Sequence, residues 1–502
     1  MNRVGFKAFL SALALLLLFS TRGAFPQNWP QWRGPEANGV SRETGLPVRW
    51  SASENIAWKV KLPGRGMSTP IIWGNRIFVA SQIGYGIVEE RSARHEGPVR
   101  SDDGPVTFVL QCFGREQGEL LWEHRIPAEK PLPPVHTFHN LSTPSPVTDG
   151  ERVYAWFGTG QLIAFTLDGS LVWKRSLARE YSPFRLLWGH GSSPVLYKDS
   201  LILLCDHDPA AYLLALDRRT GKEVWKADRG KGLRSYSTPF LVAVGDRHEL
   251  IVNSNPRIDA YDPETGKLLW HADGDCKVPI PMPVSADGIL YVSRGYNSGP
   301  YMGIRPGGSG DVSQTHLLWR VPTGAPYVSS LLYYQDLLYM ATEVGVVRCV
   351  DPKTGETLWT QRIGGNFSAS PVGADGKVYL LNEDGETVVV EAGRKCVVLA
   401  RNALNELCRA SPAVAQGRIF IRSDEHLYSI GARLAGTRAA DRATGRFIKE
   451  CALAGAQGAP ATPAGVRIVV LLLPGGSLRS PPAKLLSPRW GGIRHRIYEI
   501  MY

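Results

Sequence analysis

The seven cysteines of this 502-residue chain include no adjacent pair and no Cys-x-x-Cys-His, and their number is odd. Their spacing (112, 205, 276, 349, 396, 408 and 451) marks neither a haem nor a metal site. No Gly-x-Ser-x-Gly elbow and no P-loop occurs, so serine-hydrolase and nucleotide chemistry lack their usual marks. Methionine is scarce, with 6 copies, and no long stretch repeats apolar residues at the helical period. What the chain has instead is 53 Gly, 36 Pro and 14 Trp. Such a composition suits many short strands joined by turns.

Apolar runs are short as well. Ala8 to Phe19, behind Arg3 and Lys7 and ahead of Thr21, Gly23 and Ala24, reads as a secretory signal cut near Gly23 or Ala24. The alternative is an uncleaved anchor, but a span needs roughly 20 apolar residues. No cysteine lies near the cut, which argues against a lipoprotein; the mature chain is expected in the periplasm or outside the cell. The net charge is +11, yet three of those charges fall in residues 1–24 and eight in 431–502. The body between is neutral, so no nucleic-acid face is implied.

One phrase recurs: an apolar strand, a turn rich in Asp, Thr and Gly, then Trp four residues after the Gly. The copies are CFGREQGELLW (112–122), ALDRRTGKEVW (215–225), AYDPETGKLLW (260–270) and CVDPKTGETLW (349–359), with a shorter AFTLDGSLVW ending at Trp173. Cys112 and Cys349 stand where other copies have Ala215 and Ala260, which reads as a small buried hydrophobe. A second phrase, Ser-Thr-Pro or Ser-Ser-Pro before a hairpin, recurs eight times when Ala-Ser-Pro and two weaker forms (281–292 and 329–340) are included, from STPIIWGNRIFVA (68–80) to ASPAVAQGRIFI (410–421). Asp caps the first turn and Gly supplies positive φ. Four strands repeated about every 40 to 50 residues make a propeller blade. The fold expected is all-β: one eight-bladed β-propeller of four-stranded blades over 28–430.

The fourth strands are marked by Trp122, Trp173, Trp225, Trp270, Trp319 and Trp359, with a Trp-less version near Val398. Each fourth strand is read as starting at its Trp, whose ring fills the wedge between blades. The eighth blade lacks its own fourth strand, and IAWKVKLP (56–63), with Trp58, looks like the missing piece. It would close the ring and remove two sheet edges. Two regions fall off the pattern: a polar insertion at about 84–105, and residues 431–502, whose composition predicts disorder.

The Ser-Pro phrase starts the innermost strand, so the residues five before each Pro line up at one channel mouth. They are Arg65, His139, Gly189, Arg234, Pro326, Asn366 and Leu407, followed by Asn140, His190 and Tyr327, with Trp188, Tyr236 and Phe367 among them. Arg65, His139, Asn140, His190, Arg234, Tyr327 and Asn366 are the ligand-binding candidates. The same groups could instead satisfy turn backbones or hold water. His136 with His139, and the run Asp206-His207-Asp208, are metal or acid–base candidates that read better as turns. Gly307-Gly308-Ser309-Gly310 reads as a flexible turn.

The Asp-x-x-Thr-Gly-x-x-x-Trp repeat resembles the pyrroloquinoline-quinone-like β-propeller superfamily over about 28–430. NWPQWRGPEANGVS (28–41), NFSASPV (366–372), VLARN (398–402) and HLYSIG (426–431) resemble exported bacterial members without known activity. These are similar to the propeller lipoprotein of the outer-membrane assembly machinery, a scaffold without cofactor. The other branch, the quinoprotein alcohol and sugar dehydrogenases, implies pyrroloquinoline quinone and calcium in the channel. No calcium-ligand set or catalytic Asp matches it residue by residue. The reading is a monomeric, non-catalytic envelope propeller that binds a protein or glycan, with no catalytic residue, no metal and no cofactor. The alternatives are a quinone-dependent dehydrogenase and a glycan-processing enzyme with two carboxylates at the mouth.

Overall fold

The computed structural model describes residues 28–89 and 104–432, apart from 187, 275 and 297. The expected signal segment, most of the insertion and nearly all of the off-pattern tail lie outside the described residues. No helix of the described residues is long and apolar enough to cross a membrane.

Eight antiparallel sheets form the ring, seven of them with strand order following the sequence. Blade 1 begins at Ile71–Trp73 and blades 2 to 7 at Val147–Thr148, Val195–Tyr197, Phe240–Val244, Val284–Ala286, Leu332–Tyr334 and Val372–Ala374. Blade 8 joins Ala413–Ala415, Arg418–Arg422 and His426–Ile430 to the N-terminal strand Ile56–Lys61, whose register pairs Trp58 with Ser429 and Val60 with Leu427. The ring therefore closes as the sequence predicts.

The repeated residues are fixed by one contact, made across six of the eight blade boundaries. Trp58, Trp122, Trp173 and Trp225 donate their indole N–H to carbonyls of Arg115, Leu167, Arg218 and Pro263 at 2.9–3.3 Å, in the turn of the following blade. Trp319 and Trp359 do the same to Pro352 and Gly393. The turn glycine lies flat on that ring: a Cβ on Gly266 would come within 2.5 Å of Trp225. Positive φ and ring contact together demand Gly there. Opposite each Trp within its own sheet stands a small residue: Cys112, Ala164, Ala215, Ala260, Gly303 or Cys349.

Two sequence readings are corrected. The fourth strands begin two residues before the Trp, and a β-bulge falls between, as where Ala215 faces Trp225 but Leu216 faces Glu223. The bulge turns the ring toward the next blade. The glycine run near 307 is no free turn: Gly310–Asp311 adds a fifth, parallel strand to blade 4 beside Trp270. Blade 5 lacks the Asp-x-x-Thr-Gly turn, so Trp270 is sealed instead and donates to Glu249 at 2.7 Å.

The Ser/Thr-Pro phrase forms a belt around the channel. The N–H of Thr69, Ser145, Ser193, Met282, Ser330 and Ser370 each donates to a hydroxyl of the next blade at 2.9–3.0 Å. Pro cannot donate, which leaves the residue before it as the inter-blade donor.

Residues 28–50, unassigned by the pattern, span the channel end that carries the first hairpin turns. Trp29 pairs with Ile72 of blade 1, and Pro30 accepts from Thr148 of blade 2. Arg33 reaches Leu331 of blade 6, Ser41 donates to Gly373 of blade 7, and Glu43 accepts from Gln416 and Gly417 of blade 8.

At the closing seam, Glu406 accepts from Lys59 (2.8 Å), Tyr428 (2.6 Å) and Ser423 (2.5 Å), with His426 at 3.0 Å. Burial alone would raise its pKa, but these partners hold it down to about 2. A depressed carboxylate stabilises fully above its unfolded value near 4.5 and loses that contribution as pH falls toward 2. Glu406→Gln should therefore cost ~1–3 kcal/mol at neutral pH. It should also flatten the stability profile between pH 4.5 and 2, read by urea unfolding across that range.

Candidate mouth of the channel

Two sets of connections share the end opposite the N-terminal segment: those between blades, and those from second to third strand within a blade. Long linkers let side chains lean over the channel here, and the belt below fixes where each linker starts. Blade 2 departs from the expected register. Its phrase Ser-Thr-Pro-Ser-Pro offers two prolines, and Ser145-Pro146 is the pair that enters the belt. Leu141, not His139, therefore stands five before the proline, and His139 and Asn140 sit higher in the linker.

The mouth is lined by aromatic rings in a continuous arc. Arg409 of blade 8 lies over Phe138 (5.2 Å), Phe138 packs on His136 (5.3 Å), and His136 meets the edge of Trp188 (6.2 Å). Trp188 stacks on Tyr236 (6.0 Å). Both belong to one apolar cluster with Val278, Tyr296 and Tyr327, and Tyr327 crosses Tyr296 at 5.4 Å. The arc thus runs from blade 8 through the linkers of blades 2 and 3 to blades 4, 5 and 6. Arg65 stands over Tyr85 at 4.2 Å on the remaining side.

The predicted candidates divide. Arg65, Arg234, Tyr327 and Asn366 lie on this face at least partly exposed, and Tyr327 belongs to the arc. Arg234 pairs with Asp208 at 3.2 Å. Asn140 is 4% exposed and its Oδ1 accepts from the Ser142 N–H, a turn-capping role. His190 is 2% exposed, wedged between Trp156 (4.2 Å) and Phe184 (5.4 Å). Its ring nitrogens are sealed without a well-formed hydrogen bond, although the Ser192 backbone lies close enough to favour the charged form slightly. Burial, reinforced by His207 and His139, pushes the His190 pKa down to about 3. His139, lowered by burial and by His136, is also pushed to about 3. Both are neutral imidazoles at physiological pH. Phe367 is buried in the core between blades and is no mouth residue. Phe138, Tyr296 and Arg409 belong to the arc although no pattern singled them out; each lies in a linker or loop outside the repeat.

The acid–base candidates are structural. Asp206 is fully buried and accepts from Arg229 (2.7 and 3.0 Å) and Ser254 (2.7 Å). Arg229 also holds Asp259 at 3.0 Å, which ties blade 3 to blade 4. His207 stacks on Phe184 at 4.4 Å, and burial lowers its pKa. At the mouth, Glu383 accepts from Ser368 and faces Arg409 at 3.6 Å, while Glu343 accepts from the Tyr327 N–H. Among the described residues no three His, Cys, Asp or Glu side chains stand together as a metal-binding group. The described cysteines are all free, and burial drives the thiols of Cys112, Cys349 and Cys408 up to about 12.

Comparison with known proteins agrees with this architecture. The chain is 26% identical over 355 residues to the tetrathionate hydrolase of Acidithiobacillus ferrooxidans, covering 65% of each chain. It is 25% identical over 230 residues to the outer membrane protein assembly factor BamB of Alkalilimnicola ehrlichii, covering 45% of this chain and 49% of that one. The matches thus span less than two thirds of these relatives' own length. Among solved structures, BamB from Moraxella catarrhalis superposes with a TM-score of 0.53 at 16% identity, over 75% of this chain and 97% of that one. The quinohemoprotein alcohol dehydrogenase of Comamonas testosteroni gives 0.58 at 12% identity, over 83% and 82%. Both likenesses concern the fold. A family model described as outer membrane protein assembly factor BamB matches residues 40–202, 209–300, 310–395 and 345–476. This chain belongs to that family of pyrroloquinoline-quinone-like repeat propellers.

Proposed function

We propose that this chain is an exported, non-catalytic binding module of the cell envelope, which works without a bound quinone and engages a protein or glycan through its channel mouth. The observation that carries the reading is the aromatic arc from Phe138 to Tyr327. Aromatic side chains offer large contact area at low entropic cost. Trp188 and Tyr236 are already stacked, so little ordering is left for binding. His139 is neutral and the carboxylates are committed to arginine, serine or backbone partners, which supports binding over proton transfer. The BamB relative and the family model, both named as an outer membrane protein assembly factor, support a partner in the envelope.

The test uses the mature chain with a photo-crosslinking residue at Phe138, or at Val224 on the outer edge as control. The reading expects envelope crosslinks from position 138 and not from 224. In parallel, titration with pyrroloquinoline quinone and calcium should give no stoichiometric binding. Tight binding with dye-coupled oxidation of an alcohol or sugar would replace this reading by the dehydrogenase one, which the fold likeness to the alcohol dehydrogenase keeps in view.

A further inference from the structure

Beside the mouth lies a second cavity of about 510 Å³, walled by the linkers Glu129–Pro134 and Pro183–Leu186 and closed by Asp208 and Arg234. Its size falls in the range of small-molecule sites, roughly 300–1,000 Å³. The floor is apolar, made by Leu132, Phe184 and Leu186, each 7% exposed or less. Phe184 is clamped between His207 (4.4 Å) and Trp156 (5.9 Å), so the floor exists before any ligand arrives.

The rim carries Lys130, Arg179, Arg185 and Arg234 against only two carboxylates. Both carboxylates are engaged: Glu129 by Arg179 (3.0 Å) and Ser176 (2.5 Å), Asp208 by Arg234 (3.2 Å). Arg185 is held beside them by a backbone bridge to Asp208, yet its guanidinium has no ion-pair partner among the described residues. The cavity therefore offers an apolar floor and one cation without a counter-charge.

We propose that this cavity binds an organic carboxylate with a compact apolar body. The carboxylate pairs with Arg185, whose planar fork suits two-point contact, and Arg234 flanks it. The body covers Leu132, Phe184 and Leu186. This site adjoins the mouth and shares Arg234 and Leu186 with it, but the residue that takes the carboxylate, Arg185, is no part of the aromatic arc.

Calorimetric titration of the full chain with 2-naphthoate, and with its neutral counterpart 2-naphthamide, tests the proposal. Naphthoate should bind one-to-one, at least about tenfold more tightly than the amide. Arg185→Gln should remove about that same factor, while Arg185→Lys should restore part of it. Arg219→Gln, an exposed arginine in a turn at the opposite end, should change nothing; it controls for net charge. Raising the salt should weaken naphthoate more than naphthamide. Equal affinity for acid and amide, undiminished binding to Arg185→Gln in a chain that melts normally, or no naphthoate binding at millimolar concentration would each overturn the proposal.

Discussion

A chain lacking residues 54–62 is expected to lose the cooperative thermal transition of the whole ring. These residues supply the outer strand of blade 8, and their removal bares the edge of His426–Ile430. The loss reaches well beyond one edge. Trp58, 8% exposed, lies under Gly118 of blade 1, donates to the Arg115 carbonyl and packs on Phe420 of blade 8 at 6.0 Å. It is the seam's copy of the contact that joins most other blade pairs. Trp58→Ala alone should cost ~3–5 kcal/mol, the usual range for a large buried aromatic. Trp122→Ala, in the same contact between blades 1 and 2, provides a calibration. If the deletion left the melting temperature unchanged, the seam would not be holding the ring.

That contact also explains how much of the fold was legible. Gly and Trp recur at fixed spacing because the turn Gly of five blades lies on the ring of the blade before it, as Gly221 does on Trp173. A demand repeated at most boundaries leaves a periodic trace in the sequence. The belt leaves the second trace, the Ser/Thr before Pro. Where a boundary is solved differently the trace misleads. Trp270 looks like its siblings, but its neighbour is the parallel strand Gly310–Asp311 and its hydrogen bond goes to Glu249. In blade 2 the doubled Ser-Pro allowed two registers, and only the inter-blade hydrogen bonds of Ser145 decide between them.

The N-terminal segment left no periodic trace at all. Its bonds run from backbone to backbone or from one side chain to one distant turn, such as Glu43 to Gln416 and Gly417. Such contacts impose composition but no spacing. The mouth was partly legible for a related reason. Position before the belt fixes which linker residues reach that end, and Arg65, Arg234 and Asn366 all lie there at least partly exposed. Which side chains then turn outward is decided by linker packing, and it sent His190 inward beside Trp156 while leaving Phe138 37% exposed.

The inward turn of His190 has a large expected consequence for stability in acid. A histidine with a folded pKa near 3 stays neutral while its unfolded counterpart, near 6.5, takes up a proton. The folded value is the lower one, so the stabilisation is full above pH 6.5 and drains away as pH falls toward 3. The shift corresponds to as much as ~5 kcal/mol across that window. His139 titrates in the same direction and adds to the slope. His190→Leu replaces the imidazole by a group of similar volume among aromatic neighbours, with no nitrogen to leave unsatisfied. The variant should match the parent within about 1 kcal/mol at pH 7.5 and overtake it below pH 5. Guanidinium unfolding at pH 7.5, 6, 5 and 4 reads both. If parent and variant lost stability in parallel, the acid sensitivity would belong to groups elsewhere, Glu406 at the closing seam first among them, since its partners hold its pKa down to about 2. A variant unfolded already at pH 7.5 would instead mean that the ring nitrogens make a hydrogen bond the fold depends on.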